Sequence, residues 1–392
     1  VLSLVGSEMC IRDRINLGDP DPTAGDAGSV MVAAASLNMD DLSRITSSTS
    51  SDGNGGSVDV QVGALNMSNG AEIRSRSGLP DVNTGEIKVG SGNGGDISIA
   101  ADAVSMQSDS SISVSSLGDG QAGNIALNSA NTLNMSGSSI TSQAEGSGDG
   151  GDISIAASSS VTMQNNSSIS ASALGDGLAG NIAIDAGQRL EMSGSSISTQ
   201  AVVSDGGNID IMAVNRILLD QSEITTSVES GFGAGGNINI DPEFVILKQS
   251  SILANAFGGP GGNINIVAGN FIATPDSVVD ASSALGIDGI VNISSPDEEI
   301  SKELAVLPDT FLDVTSLISE RCGTAAGTSS LVNAGPGGLV VDPDGYLPSF
   351  ATTNLDNKQK EKGGNESAGK TRWWAPYSHR SALHIAELTC LR

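Results

Sequence analysis

Three stretches of this chain have the spacing of a phosphate-binding loop. Gly118-Asp119-Gly120-Gln121-Ala122-Gly123, Gly175-Asp176-Gly177-Leu178-Ala179-Gly180 and Gly231 to Gly236 all fit G-x-G-x-x-G. Dinucleotide binding needs a helix directly after the glycines, because the free N–H groups at the helix start hold the pyrophosphate. Here each run leads into alternating residues, Ile125-Ala126-Leu127, Ile182-Ala183-Ile184 and Ile238-Asn239-Ile240, which read as strands. The glycines are therefore corner turns and no nucleotide is assigned. The run Gly92-Asn93-Gly94-Gly95-Asp96 has the composition of a calcium-binding nonapeptide repeat. Such sites need an aspartate every nine residues, whereas this motif returns about every 28 and often carries Asn or Ser instead. Incidental weak calcium binding on an acidic surface is the alternative.

Glycosidic cleavage needs paired carboxylates at a defined separation, or a basic residue with a metal, usually beside aromatic sugar platforms. Asp205, Asp210, Asp220 and Asp241 could converge on one face, but a solvated acidic face explains them more simply. The repeats contain no Trp, Tyr or His. His379 and His384 lie five apart near Cys390, without partners that would make a metal site or a nucleophile. No catalytic, cofactor-binding or metal-ligating residue is assigned, no cofactor is expected, and the chain is read as a non-enzyme.

The elements carrying these residues repeat. Gly94-Gly95-Asp96-Ile97-Ser98-Ile99 has ten versions, with second glycines at Gly28, Gly56, Gly95, Gly123, Gly151, Gly180, Gly207, Gly236, Gly262 and Gly289. Their spacings are 28, 39, 28, 28, 29, 27, 29, 26 and 27 residues. After each glycine, aliphatic residues fall at the second and fourth positions, as in Ile153/Ile155. A second pair follows, as in Val161/Met163, and then a third segment centred on Ile45, Ile73, Ile112, Ile140, Ile169, Ile197, Ile224, Ile252 and Val278. Period two in all three segments buries one face of each strand and excludes helices as the repeating unit. Three strands and three corners in about 28 residues make one rung of a parallel β-helix of about ten rungs.

Like residues then stack about 4.8 Å apart. The position after the corner glycine runs Ser29, Ser57, Asp96, Asn124, Asp152, Asn181, Asn208, Asn237, Asn263, Ile290. No two aspartates are adjacent there, since neighbouring carboxylates would repel by about 1 kcal/mol even in water. The glycine itself serves a corner needing φ > 0 or no Cβ against its neighbour. Gly95, Gly151 and Gly207 are 56 apart, the mark of a duplicated two-rung unit. In the 39-residue interval, Gly85-Glu86-Ile87-Lys88-Val89 imitates a strand, and about ten residues form a side loop near 76–92.

The chain has 392 residues, 50 glycines, 3% aromatics and a net charge of -27. Residues 1–350 hold 41 acidic and 11 basic side chains, net -30, and residues 351–392 hold 4 and 7, net +3. An acidic body repels phosphate backbones and anionic lipid, so nucleic acid is excluded as a partner. Cys10, Cys322 and Cys390 lie outside the repeats and show no metal or disulfide framework. Four regions are expected: 1–14, a non-native leader excluded from the fold; 15–295, the β-helix rungs; 296–350, a C-terminal cap segment; and 351–392, a flexible basic tail. Within the cap segment, Asp309 to Cys322 has the pattern of one short amphipathic helix over the open last rung. The chain, which starts at Val1, is expected to be a fragment.

The run Gly236-Asn237-Ile238-Asn239-Ile240-Asp241-Pro242-Glu243-Phe244-Val245-Ile246-Leu247 is followed by Ser251-Ile252-Leu253-Ala254-Asn255-Ala256 and Gly259-Pro260-Gly261-Gly262-Asn263-Ile264. Then come Val279-Asp280-Ala281-Ser282-Ser283, Leu307-Pro308-Asp309-Thr310-Phe311-Leu312-Asp313, Cys322 and Gly335-Pro336-Gly337-Gly338-Leu339. Over about residues 20–350 this resembles the C-terminal end of filamentous haemagglutinin-like exoproteins of two-partner secretion. The resemblance implies a right-handed parallel β-helix, exported through an outer-membrane pore and secreted or held at the outer-membrane surface as an adhesin. Its receptor, a cell-surface molecule or glycan, is unknown. The family's N-terminal secretion domain is missing from this sequence, Pro336 stands where the family often has arginine, and residues 351–392 match no family feature. The alternatives are a carbohydrate-active β-helix enzyme, lyase or hydrolase, and a self-associating surface-layer or matrix protein.

Overall fold

In the computed structural model of the chain, the residues described are 25–49, 52–80, 87–88 and 91–295, together with the strands Leu2–Val5 and Glu8–Arg12. All described secondary structure is β, and the strands of the coil pair in parallel. Each turn contributes to two sheets. The first and second segments build a 16-stranded sheet, and the third segments build a 10-stranded sheet running from Glu8–Arg12 to Val278–Asp280. Nine full turns run from Val30 to Asp280, and Val291–Ser294 begins a tenth. The architecture is the parallel β-solenoid expected from the period.

Register explains why each position recurs. Ile153 pairs with Ile125 and Ile182, and Ile155 with Leu127 and Ile184. Met39, Met67, Met106, Met135, Met163 and Met192 follow one another on successive turns, each at most 1% exposed. These columns form one narrow core from Val30 to Ala281. Burying a side chain of this size contributes about 1.5–3 kcal/mol, which is how a chain poor in aromatics stays folded.

Four details correct or sharpen the sequence reading. First, the first and second segments are not separate strands in the early turns. Val30–Asp40, Val58–Met67, Ile97–Gln107 and Ile125–Ser136 are continuous strands of 11, 10, 11 and 12 residues. The sheet forks at the last of these, which pairs onward with both Ile153–Ala157 and Ser160–Gln164. Its register shifts between Ser129 and Thr132, where it holds one residue more than the preceding turn, a bulge that bends the strand. In all five later turns the strand breaks at the bend, at Gly187, Pro242 or Gly269 in three of them and at Ser158-Ser159 and Ala213-Val214-Asn215 in the other two. Second, Val279 and not Val278 continues the third-segment core column, since it pairs with Ile252 while Val278 is half exposed. Third, residues 1–14 are not wholly outside the fold: Leu2–Val5 pairs with Leu37–Asp40, and Glu8–Arg12 with Arg44–Ser48. Leu2/Leu4 and Met9/Ile11 have the period-two spacing that such pairing needs. Fourth, Ile87–Lys88, which imitates a rung strand, pairs antiparallel with Leu79–Pro80 within the expected side loop and not with a neighbouring turn. The expected cap at 296–350 and tail at 351–392 lie outside the described residues.

The corner glycines have one physical reason. A Cβ on Gly180 would sit 2.1 Å from the carbonyl oxygen of Gly151, and one on Gly207 would sit 1.9 Å from that of Gly180. Neither needs a positive φ; the neighbouring turn leaves no room. Beside the glycines, buried hydroxyls of the third segment tie turns together. Ser142 Oγ donates to Gly123 O at 2.9 Å and accepts from Gly151 N at 3.0 Å. Ser75 bridges Gly56 and Gly95 in the same way.

Outside the glycines runs the amide ladder. Asn124, Asn181, Asn208, Asn237 and Asn263 each donate Nδ2–H to the side-chain Oδ1 one turn back, at 3.0–3.2 Å. The backbone N–H of each residue reaches the same oxygen, as Asn208 N does on Asn181 Oδ1 at 2.9 Å. Asp152 accepts from Asn181 at 3.0 Å, and its own backbone N–H donates to Asn124 Oδ1 at 2.9 Å. An aspartate side chain can accept from the next turn but cannot donate to the previous one, so it fits only where the next turn supplies a donor.

Candidate functional site

A long concave feature of the described surface lies along the bend between the first and second segments. The residue facing inward at this bend is small on most turns: Ala101, Ser129, Ala157, Ala186, Ala213 and Ala268 are all buried there, with Val62 and Pro242 as the bulkier members of the column. Small residues let the backbone approach the axis, and the wall is dented on the outside. Two open stretches of about 970 and about 790 Å³ result. They share Asp185, Gly187 and Val214, so they form one trough running from Ala34 in the first turn to Ser295 at the end of the last.

The two halves of the trough differ. From Ala34 to Ser158 its only charged lining residue is Asp102, among alanines, Gln61 and Asn128. From Asp185 onward it carries Asp185, Asp241 and Glu243, between the exposed side chains of Met212, Val214 and Val267. Asp185 Oδ1 accepts from Gly187 N at 3.0 Å, which fixes the carboxylate at the rim. Among the described residues none of these three acids has an ion pair, because Arg189 and Arg216 on the neighbouring strand face are both engaged by Glu191. The lining contains no cation and no aromatic side chain.

Of the four aspartates singled out in the sequence, only two share a face. Asp210 and Asp241 are outward on the first segments of adjacent turns, Ile209–Met212 and Ile238–Asp241. Asp210 accepts from Asn239 Nδ2 at 2.7 Å. Asp205 sits in the corner before the glycine pair and accepts from Ala234 N at 2.7 Å, and Asp220 ends the second segment. The G-x-G-x-x-G runs lead into strands and stack as corners, with a Cβ on Gly177 falling 2.0 Å from Gly148 O. His379, His384 and Cys390 lie outside the described residues. Among the described residues no three His, Cys, Asp or Glu side chains group as metal ligands.

A small basic cluster interrupts the acidic surface on the 10-stranded sheet. Glu72 pairs with Arg44 at 3.1 Å and Arg74 at 3.2 Å. Arg76 donates to Ser115 Oγ at 3.2 Å, and its pKa is lowered by burial first and by neighbouring Arg74 second.

No protein-family model matches the chain, and no curated protein or solved structure shows significant similarity to it.

Proposed function

We propose that the chain is the shaft of an adhesin-like exoprotein of the filamentous haemagglutinin type, secreted or held at an outer-membrane surface, acting by adhesion or aggregation and not by catalysis. One observation carries this reading: the turns stack in register from Val30 to Ser294, so the inward side chains and the corner amides and hydroxyls serve the coil itself. Such a rod is a spacer that projects whatever its outer faces or termini display. The resemblance of Gly236–Leu247 and the segments after it supports the family, and by the same resemblance the export partner is an outer-membrane pore of the two-partner type.

The test is retention of the full chain, coupled to fluorescent beads, on epithelial and bacterial cells, against heat-unfolded protein on identical beads. The same protein is incubated with a panel of linear polysaccharides and assayed for new reducing ends. Retention without cleavage is expected. Release of reducing ends that is lost on changing Asp210 and Asp241 to Asn would replace this reading with a carbohydrate-active enzyme. Assembly that grows with concentration in light scattering, without retention on cells, would replace it with a self-associating matrix protein.

A further inference from the structure

We propose that the acidic half of the axial trough, from Asp185 to Ser295, is a docking site for a basic amphipathic helix. This goes beyond the adhesin reading and does not depend on it.

Charge and lining select the occupant. Asp185, Asp241 and Glu243 project from a trough with no basic lining residue, in a body of net charge -30 over residues 1–350. The complement is positive. Between the acids stand the exposed aliphatic side chains Met212, Val214 and Val267, with Pro242 and Ala268 beneath them. Aliphatic contacts reward a ligand with aliphatic side chains of its own, whereas a sugar chain would meet none of the aromatic faces on which sugars stack.

Backbone chemistry selects a helix over an extended peptide. The strands that wall the trough already spend their N–H and C=O groups on the turns above and below, as Ile182–Asp185 does with Ile153–Ala156 and with Ile209–Met212. The strands run across the trough, so the one unpaired edge that borders it among the described residues, Val291–Ser294, closes its end and offers nothing to an extended chain lying along it. A helix satisfies its own backbone and binds through side chains alone. Length agrees: Asp185 to Ser294 spans four turn intervals, about 19 Å at about 4.8 Å each, which matches roughly 13 residues of helix at 1.5 Å per residue. Asp185 and Asp241 are two turns apart, about 10 Å, close to the separation of helix positions i and i+7.

The probe is a synthetic 14-residue peptide with leucines on one helical face and lysines on the flanks, titrated into the full chain by fluorescence anisotropy at low salt. Saturable binding with a gain of helical circular dichroism is expected. The triple variant Asp185→Asn, Asp241→Asn, Glu243→Gln should weaken it at least about tenfold, as loss of three complementary charges does at low ionic strength. Met212→Ser with Val214→Ser, both at exposed positions, should weaken it severalfold while leaving an all-lysine peptide unaffected. The control triple Asp109→Asn, Glu223→Gln, Asp276→Asn removes equal charge away from the trough. Equal weakening by both triples means diffuse attraction to an acidic rod and overturns the proposal. So does absence of saturable binding to the native chain, or binding without helix gain. These results leave the cell-retention test untouched, so the two readings fail separately.

Discussion

Asn181→Asp places a carboxylate directly against Asp152 and exposes what the amide ladder does. In the native chain Asn181 Nδ2 donates to Asp152 Oδ1 at 3.0 Å, and Asn181 Oδ1 accepts from Asn208 N at 2.9 Å and Asn208 Nδ2 at 3.1 Å. The substitution removes one hydrogen bond to a charged acceptor, worth about 1.5 kcal/mol at the low end of its range. It replaces that bond with two negative charges 3.0 Å apart, a repulsion of about 1.4 kcal/mol in the dielectric of water. The two bonds from Asn208 now reach a charged acceptor and return about 0.5–1 kcal/mol. The net expectation is a loss of about 2 kcal/mol near neutral pH. Asn237→Asp, flanked by Asn208 and Asn263, loses its bond to Asn208 Oδ1 but meets no charge, and should cost about 1 kcal/mol or less. Changing Asp152 to Asn in the Asn181→Asp chain restores a donor and removes the repulsion, so the double variant should recover most of the loss. The deficit should also depend on pH. Two facing carboxylates raise one folded-state pKa above its unfolded value, so the folded variant binds the extra proton and gains stability as pH falls. The Asn181→Asp deficit should therefore shrink between about pH 6 and about pH 3, the range around an ordinary aspartate pKa of about 3.9. Urea midpoints by circular dichroism, with hydrogen exchange at the Asn208 amide, measure this. Equal, pH-independent losses for Asn181→Asp and Asn237→Asp would refute the charge-alternation reasoning.

Further expectations concern four single positions. Gly180→Ala should destabilise by about 1–3 kcal/mol through overpacking against Gly151 O, and Gly180→Asn should be no better. Gly194 has φ +55 and nothing within 4 Å of the place a Cβ would occupy, so Gly194→Asn should be nearly neutral because asparagine tolerates the left-handed region; denaturant midpoints that ranked the two sites the other way would contradict the packing reason. Ser142→Ala should lower the midpoint by about 1–3 kcal/mol, because it strands Gly123 O and Gly151 N in a buried corner. Asp40 is held below the usual carboxylate pKa by donation from Ser68 Oγ at 2.9 Å and Asn69 Nδ2 at 2.7 Å. Its contribution is present above the ordinary aspartate pKa of about 3.9 and is lost as pH falls through the lowered folded value. Asp40→Ala should thus lower the urea midpoint near neutral pH and leave it unchanged in strong acid.

The coil was legible because it is a period-two pattern repeated in register. Ile97/Ile99 on one turn means little, but the same pair on ten turns can only be a stacked column. The asparagine ladder and the corner glycines were legible for the same reason. What escaped were features made of residues with no distinctive type. Ala34 and Ala101 sit at a bend without Gly or Pro, while Gly63 beside Val62 lies within an unbroken strand, so residue type did not mark where the strand stays whole and where it divides. Ser75 and Ser142 look like outward polar residues until the register turns them inward onto the glycines. Val278 and Val279 are both aliphatic, and only pairing to Ile252 says which one faces the core. The trough is made by the absence of bulk at six buried positions, and its acids become a set only when turns 56 residues apart in sequence, such as Asp185 and Asp241, come within two rungs.

The stacking itself can be tested by one cross-link. Ser154 and Ala183 are outward partners on adjacent turns, and Ala183 pairs in turn with Asp210. With Cys10, Cys322 and Cys390 changed to Ser, the pair Ser154→Cys, Ala183→Cys places its Cα atoms about 4.8 Å apart, inside the range a disulfide spans. The pair Ser154→Cys, Asp210→Cys lies two turns apart at about 10 Å, outside it. Rapid, near-complete disulfide formation in the first and none within the folded second is the result this structure requires. Equal oxidation of both pairs, or of neither, would contradict a coil stacked in this register.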